Sequence, residues 1–590
     1  MKRVSRKTAY LVLAALLTFA CGGIWLMSPS WSPSNQGTTI IDGNTPKSLG
    51  DAQLVGHAPS NRQIEVVIGL KDRNVPQLEA LIDRLTDPRS PEFRKFLSPQ
   101  DVLSQFAPAK EEVDSIVAYL QQHGLHVLET TPNNKLIHAT GTVGEIEEAF
   151  NVTINDYMID GQLFFSNDHN PSVPGNLKDA VESVIGLDSL SVYEPHNIKL
   201  PTSTVVQAAA AGSPPPRNLT PIGGNSPQQL STAYNFPNML NARGGAVYSG
   251  KGATIGIASA YSYMDSDVQT YWQYYGIKRT GTVSNVYVNG QSNQPNDETS
   301  LDLEQAGALA PGADIIMYLA PNSSTLNFAL VYNRIVSDDK IAAFSVSWGL
   351  CEDDEYRADL ETEHAILRLA AVEGITVYPA TADHGAYDCK RKGKKLLYSV
   401  DYPASDPYVT GVGGTSLSLN ADGTRRSEQA WTGSGGGVSK MFDRPSWQFG
   451  PGVPNNHTRN VADVAFNADP WTGNSYFFKG SWDQSGGTSY GAPDWLALTA
   501  LAVEATGDRL GYLNPTLYRI GRSPDYKNVF HDVTVGNNGD MRGRGYVARP
   551  GWDHPTGWGS PNGDALIKWL IKDAAASAPP AAKPAAPSSH

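Results

Sequence analysis

Cysteine is scarce, with three residues in 590. Cys21 lies inside an apolar N-terminal run, leaving Cys351 and Cys389 as the one pair available to an oxidising compartment. No CxxC occurs, which removes a zinc ribbon. HExxH is also missing, and His364 in "ETEHAILRL" reads as an ordinary helix histidine. Positive charge is short too: 46 Lys and Arg against 59 Asp and Glu give a net charge of −13. Without a basic stripe to neutralise phosphates, nucleic acid is not an expected partner. "GGAVYSGKG" approaches a phosphate loop, but Gly252 stands where Ser or Thr should hold magnesium, and the stretch precedes a strand instead of following one. No repeat of solenoid length is present.

Hydrophobic residues make up 40% of the chain, with 26 Tyr, 16 Phe and 12 Trp, enough for large cores. The 56 Gly and 40 Pro argue for many turns. Four Lys and Arg precede an apolar run from Ala9 to Met27, so residues 1–30 are an export signal or a membrane anchor, and the protein is expected to be secreted or held in the cell envelope. Residues 31–50 form a polar spacer. From 51 to 195, amphipathic helices ("VPQLEALIDRLTD", "KEEVDSIVAYLQQHG", "TVGEIEEAFNV") alternate with short strands ("QIEVVIGL", "LHVLETT", "LIHATG"), a compact α/β domain. Residues 196–218 are an Ala-, Pro- and Ser-rich linker, exposed and open to proteolysis. A larger domain spans 219–573. Its apolar strands "ATIGIAS", "ADIIMYLA", "IAAFSVSWG" and "ITVYPATA" alternate with helices, which predicts a buried parallel sheet. Residues 574–590 are a low-complexity tail.

Three stretches hold candidate chemistry. In "SGGTSYGAPDW" a glycine-rich loop delivers Ser489 to the mouth of an apolar helix, as a helix cap or as a nucleophile. In "NDETSLDLEQAGALAPGA" the four-residue spacing puts Glu298 and Asp302 on one helix face, where repulsion raises one pKa and a shared proton relieves it. The bland alternative is a solvated acidic face. In "VYPATADHGAYDC" Asp383 follows a strand's C-terminal end, as a turn former or as a site residue. A second "GGTS" at 413–416 continues as a strand, so Ser416 reads as structural.

Together these segments resemble the sedolisins, the serine-carboxyl peptidases, in their kumamolisin-type form. "SGGTSYGAP" is similar to the family's nucleophile segment and implies Ser489 as nucleophile. "ETSLD" resembles its Glu-x-x-x-Asp, implying Glu298 as general base with Asp302 behind it. "TADHG" implies Asp383 as the oxyanion aspartate, and "SVSWG" implies Ser347, Trp348 and Gly349 as substrate-lining. The resemblance implies a subtilisin-like parallel seven-stranded sheet flanked by helices, preceded by a small α/β activation pro-domain that inhibits the enzyme intramolecularly. Polypeptides are the implied substrates, the linker holds the processing site, and the chain is expected to be a monomer. "VFHDVT" and "RPGWDHPTGWGSP" resemble two loops binding one structural Ca2+ through Asp532, Asp553 and the carbonyls of Val533, Arg549 and Gly551. A disulfide between Cys351 and Cys389 is expected to brace the site. The sequence departs from the family at Ala382, where many members have Gly, and at Ala258, near a position where kumamolisin-like enzymes carry an extra Glu.

The residue types suit acid. A serine hydroxyl needs a base. Histidine is already protonated in acid, whereas a glutamate of ordinary pKa accepts the proton. A protonated Asp383 donates to an oxyanion that an ionised one would repel. The rival is an esterase of the α/β-hydrolase kind: "GTSYG" fits G-x-S-x-G, and Asp532 and His554 follow in the right order. It leaves Glu298, Asp302 and "TADHG" without a task.

Overall fold

The computed structural model describes residues 37–45, 49–50, 52–159, 161–199, 223–241, 247–389, 397–539 and 543–576. The apolar run 9–27, most of the linker and the C-terminal tail lie outside the described residues. Among the described residues, no helix is long and apolar enough to cross a membrane.

The N-terminal domain holds two larger antiparallel sheets and a short antiparallel pair, Thr38–Ile40 with Ser172–Pro174. Strands β1 (Gln53–His57), β5 (Ile154–Ile159) and β6 (Gln162–Asn167) pair in the order β1-β5-β6. Strands β2 (Gln63–Leu70), β3 (His126–Thr130), β4 (Leu136–Thr142) and β7 (Val181–Ile185) pair in the order β3-β4-β2-β7. Helices α1 (Val75–Thr86), α2 (Lys110–Gln122) and α3 (Val143–Phe150) follow the predicted amphipathic stretches. Each buries the residues that recur at helical spacing, such as Val113, Ile116 and Leu120 of α2.

The larger domain is built on parallel strands β10 (Thr254–Ala260), β11 (Val283–Tyr287), β12 (Asp314–Ala320), β13 (Ala343–Val346) and β15 (Thr376–Pro379), in the order β11-β12-β10-β13-β15. A parallel bridge between Ala380 and Val412 carries the sheet on to β16 (Val412–Leu419) and β17 (Val464–Asn467), giving seven strands. Strand β14 (Trp348–Cys351) leaves the sheet just past β13. Side chains alternate across the sheet, as pleating requires. Ile255 and Ile257 join one core with α4 (Asp265–Tyr274), α5 (Asp297–Leu309) and α8 (Gly491–Thr506). Ala258 and Ala260 join another with α6 (Thr325–Asp338) and α7 (Arg357–Glu373). Helix α7 ends at Gly374, whose left-handed φ of 78° suits a residue without a Cβ. The last helix, α9 (Gly563–Ala576), runs slightly past the boundary read from composition.

The two domains meet on α7. Arg368 pairs with Asp72 at 2.9 Å, and Asp72 also takes the fully buried Lys135 at 3.0 Å. Ser183 Oγ lies 2.8 Å from Thr362 Oγ1, and the Tyr193 hydroxyl donates to Glu363 at 2.7 Å. Gly69 lies so close to α7 that a Cβ there would sit 2.3 Å from Thr362 Oγ1.

Candidate functional site

Helix α5 begins at the N-cap Asn296, whose side chain accepts from Glu298 N at 2.8 Å, and stops before Pro311-Gly312. The acidic face read from the sequence is not solvated: every residue from Glu298 to Leu309 is buried, because α8 and the sheet close over the helix. Ser489 lies in a single 3₁₀ turn, Thr488–Tyr490, that leads into α8, and it is fully buried. Asp383 follows β15, with its Oδ1 accepting from the Thr488 N–H at 2.8 Å and from Thr488 Oγ1 at 3.1 Å.

The fold therefore brings Ser489, Glu298, Asp302 and Asp383 into one cleft. Burial raises the Glu298 carboxyl well above its ordinary value, and repulsion from Asp302 adds to this. The Asn197 amide and the Ser489 hydroxyl pull it back. Glu298 Oε2 accepts from Asn197 Nδ2 at 2.6 Å. Asp302 is raised by burial and accepts from Ser347 Oγ at 2.7 Å. Glu298 Oε1, Asp302 Oδ2 and Ser489 Oγ make no hydrogen bond of ordinary geometry among the described residues, so Ser489 sits near Glu298 without a formed bond. The assumption of an ordinary glutamate pKa fails here, because the side chain is cut off from water. A third acid escaped the sequence reading. Asp494 of α8 is buried with neither oxygen bonded, and its carboxyl is raised by burial and by Asp302. Nothing in "APDW" flags it beyond its place one turn after Ser489.

The cleft is filled by the chain itself. Residues 196–199, read as the start of an exposed linker, are instead held in extended form. Strand β8 (Glu194–Pro195) pairs antiparallel with Gly349 and Trp348 of β14. Strand β9 (Ile198–Lys199) pairs with Gly486 and Ser485 of the hairpin formed by β18 (Asn474–Phe478) and β19 (Ser481–Gly486). Two open strand edges need backbone partners, and the segment supplies both. The His196 N–H donates to the Ser347 carbonyl at 3.0 Å, and the Ser489 N–H donates to the His196 carbonyl at 3.1 Å. Gly487, with φ 121°, permits this approach: a Cβ there would lie 2.1 Å from the His196 carbonyl oxygen and 2.5 Å from Asp383 Oδ2. The two oxygens thus flank the same bare Cα. Burial pushes Asp383 up to about 6, and nearby His196 offsets part of that.

Of the substrate-lining candidates, Trp348 and Gly349 flank the segment through backbone pairing, and Ser347 contributes its carbonyl while its hydroxyl holds Asp302. His196 lines a cavity of about 320 Å³ together with Gly349, Asp354, Asp388 and Asp401, and its Nε2 lies 3.2 Å from Asp401 Oδ1. Burial lowers the imidazole, and burial together with neighbouring Asp388 raises the Asp401 carboxyl. Cys351 and Cys389 are disulfide-bonded on this cavity's wall.

The esterase rival finds no triad. His554 Nε2 lies 3.2 Å from Asn460 Oδ1, its ring packs on Tyr546 and Trp552, and Asp532 accepts from the Gly551 N–H at 3.1 Å. The proposed calcium loops do converge. Asp553 accepts from Arg549 N at 2.9 Å, and burial together with Asp532 raises it to about 7. Val533, Arg549 and Gly551 offer carbonyls to which no described residue donates. Asp532 and Asp553 thus hold the same turn from two loops, through the Gly551 and Arg549 N–H groups.

Comparisons with known proteins agree with this geometry. A family model described as "Pro-kumamolisin, activation domain" matches residues 51–190. The chain is 32% identical over 562 residues to kumamolisin from Bacillus sp. (strain MN-32), covering 92% of this chain and 97% of the relative. It is 31% identical over 575 residues to sedolisin from Pseudomonas sp. (strain 101), covering 92% and 93%. Among solved structures it resembles Pseudomonas sedolisin, a serine-carboxyl proteinase complexed with two molecules of pseudo-iodotyrostatin, at 30% identity and a TM-score of 0.54, over 60% of this chain and 99% of that one. A subtilisin-like sheet, an N-terminal domain docked on it and full-length relatives of this kind lead to one conclusion: the chain belongs to the sedolisin family of serine-carboxyl peptidases and carries an activation pro-domain.

Proposed function

We propose that the chain is an exported, acid-active endopeptidase made as a zymogen that cuts its own linker at His196–Asn197. The observation that carries this reading is the threading of residues 194–199 through the cleft, with the His196 carbonyl on the Ser489 N–H. Ser489 Oγ attacks the His196 carbonyl carbon while its proton passes to Glu298. The pair Glu298/Asp302 shares one proton, and the negative charge rests on Glu298 because that residue faces two donors, Asn197 and Ser489. The oxyanion is held by the Ser489 N–H and by a protonated Asp383. Glu298 then returns its proton to the Asn197 nitrogen, the peptide bond breaks, and water releases the acyl group from Ser489 by the same steps.

Residues 194–199 occupy the cleft on both sides of the cut bond, which supports an endopeptidase. The acid-lined cavity around His196 favours a hydrogen-bonding side chain before the cut. In the same reading Asp532, Asp553 and the carbonyls of Val533, Arg549 and Gly551 hold one structural Ca2+, residues 9–27 direct export, and the protein acts as a monomer.

Pure full-length protein incubated at about pH 4 and about pH 7, beside Ser489→Ala, tests the proposal. A new N-terminus at Asn197, formed faster in acid and missing from the variant, is expected. The same cut in the variant would overturn it.

A further inference from the structure

The primed side of the cleft holds a second occupied subsite. Lys199 is the third residue after the proposed cut. Its Nζ lies 2.5 Å from Asp297 Oδ2, and 5.8 and 5.7 Å from the ring centroids of Tyr476 and Phe478. Tyr476 and Phe478 are two apart on β18 and so share one face, while the Phe477 N–H turns toward Glu304 at 3.2 Å. The same hairpin supplies Ser485 and Gly486, which fix the backbone of Ile198 and Lys199. Register and side-chain cage are therefore set by one element, and an extended peptide held in that register delivers its third primed side chain to the cage. Asp297 is mostly covered, at 18% side-chain exposure, while Lys199 keeps 44%. That matches a cation with an apolar stem laid over rings and its head at a carboxylate. Lys479 also sits over Phe478, 4.9 Å from its centroid, so the cage selects charge moderately.

We infer that Asp297, Tyr476 and Phe478 form a cation-selective subsite, favouring peptide substrates with Lys or Arg three residues past the cut bond. The inference rests on the proposed cleavage register. An exposed ion pair and a cation–π contact are each modest, so the preference is about 5- to 10-fold in kcat/KM. Asp297 acts on substrate binding and also neighbours Glu298, so the test compares ratios within each variant. Acid-matured enzyme is given peptides that differ only at that residue, as Lys, Ala or Glu. Lys over Ala by about 5-fold, with Glu poorest, is expected for the wild type. The ratio should collapse toward unity in Asp297→Asn and shrink in Phe478→Leu. Equal rates for Lys and Ala peptides in the wild type, or an unchanged ratio in Asp297→Asn, would overturn the subsite while leaving the peptidase reading standing. If self-processing in acid fails as well, the cleavage register falls and the subsite falls with it.

Discussion

The backbone N–H of Ser489 donates to the carbonyl oxygen of His196 at 3.1 Å, which sets a linker residue against the candidate nucleophile before any external substrate arrives. His196 also lines the acid-rich cavity beside Asp401. His196→Leu removes the side-chain hydrogen bond to Asp401, keeps the backbone bond to the Ser489 N–H, and sets an apolar side chain against a polar cavity. Self-processing in acid is expected to slow about 10-fold, in line with one lost buried hydrogen bond. A time course followed by gel electrophoresis checks it, and an unchanged rate would detach the cavity from recognition.

In the proposed mechanism Asp383 sets a pH limb. Its carboxyl is raised to about 6, so the protonated, donating form prevails below that pH and disappears as pH rises through it. Activity on a peptide substrate should fall in the same direction. Asp383→Ala removes the donor and should cost about 10²- to 10³-fold in kcat. Asp383→Asn keeps a donor that does not ionise, so its residual activity should lose the limb near 6. Rate–pH profiles of the three proteins decide it.

Docking of the pro-domain has a pH sign of its own. Glu363 meets Tyr193 of the N-terminal domain and is pushed up to about 8 by burial. A raised folded-state pKa gives stability that is full below the ordinary glutamate value and is lost as pH rises through about 8. This contact tightens in acid, so release depends on cutting. Ser489→Ala should keep its pro-domain bound at about pH 4, read by size-exclusion chromatography after limited proteolysis of the linker.

Gly69 tests the same interface sterically. Alanine there brings a Cβ to 2.3 Å from Thr362 Oγ1 and 2.7 Å from Ser183 Oγ, both held in short buried side chains. Overpacking of this kind costs about 1–3 kcal/mol. Gly69→Ala should loosen docking and bring self-processing on at higher pH than in the wild type.

Removal of divalent cations should lower the melting temperature without changing the pH limb assigned to Asp383. Asp553→Asn should melt lower and no longer respond to a chelator. A chelator-insensitive wild type would count against the calcium proposal.

Local sequence was enough to identify the pieces. The four-residue spacing of Glu298 and Asp302, the glycines before Ser489, the apolar strands and the amphipathic pro-domain helices are short-range patterns, and they survive intact in the fold. Tertiary structure decided what surrounds them. Whether the Glu298 face is wet or dry depends on α8, nearly two hundred residues away in the chain, and that burial removes the glutamate from its ordinary pKa. Asp494, Asp401 and Asp297 carry no motif, because their roles come from what packs against them. The start of the linker looked like exposed chain because composition reports solubility, while the place of residues 196–199 in the cleft is set by two strand edges, Trp348–Gly349 and Ser485–Gly486, that only the folded protein brings to either side of them.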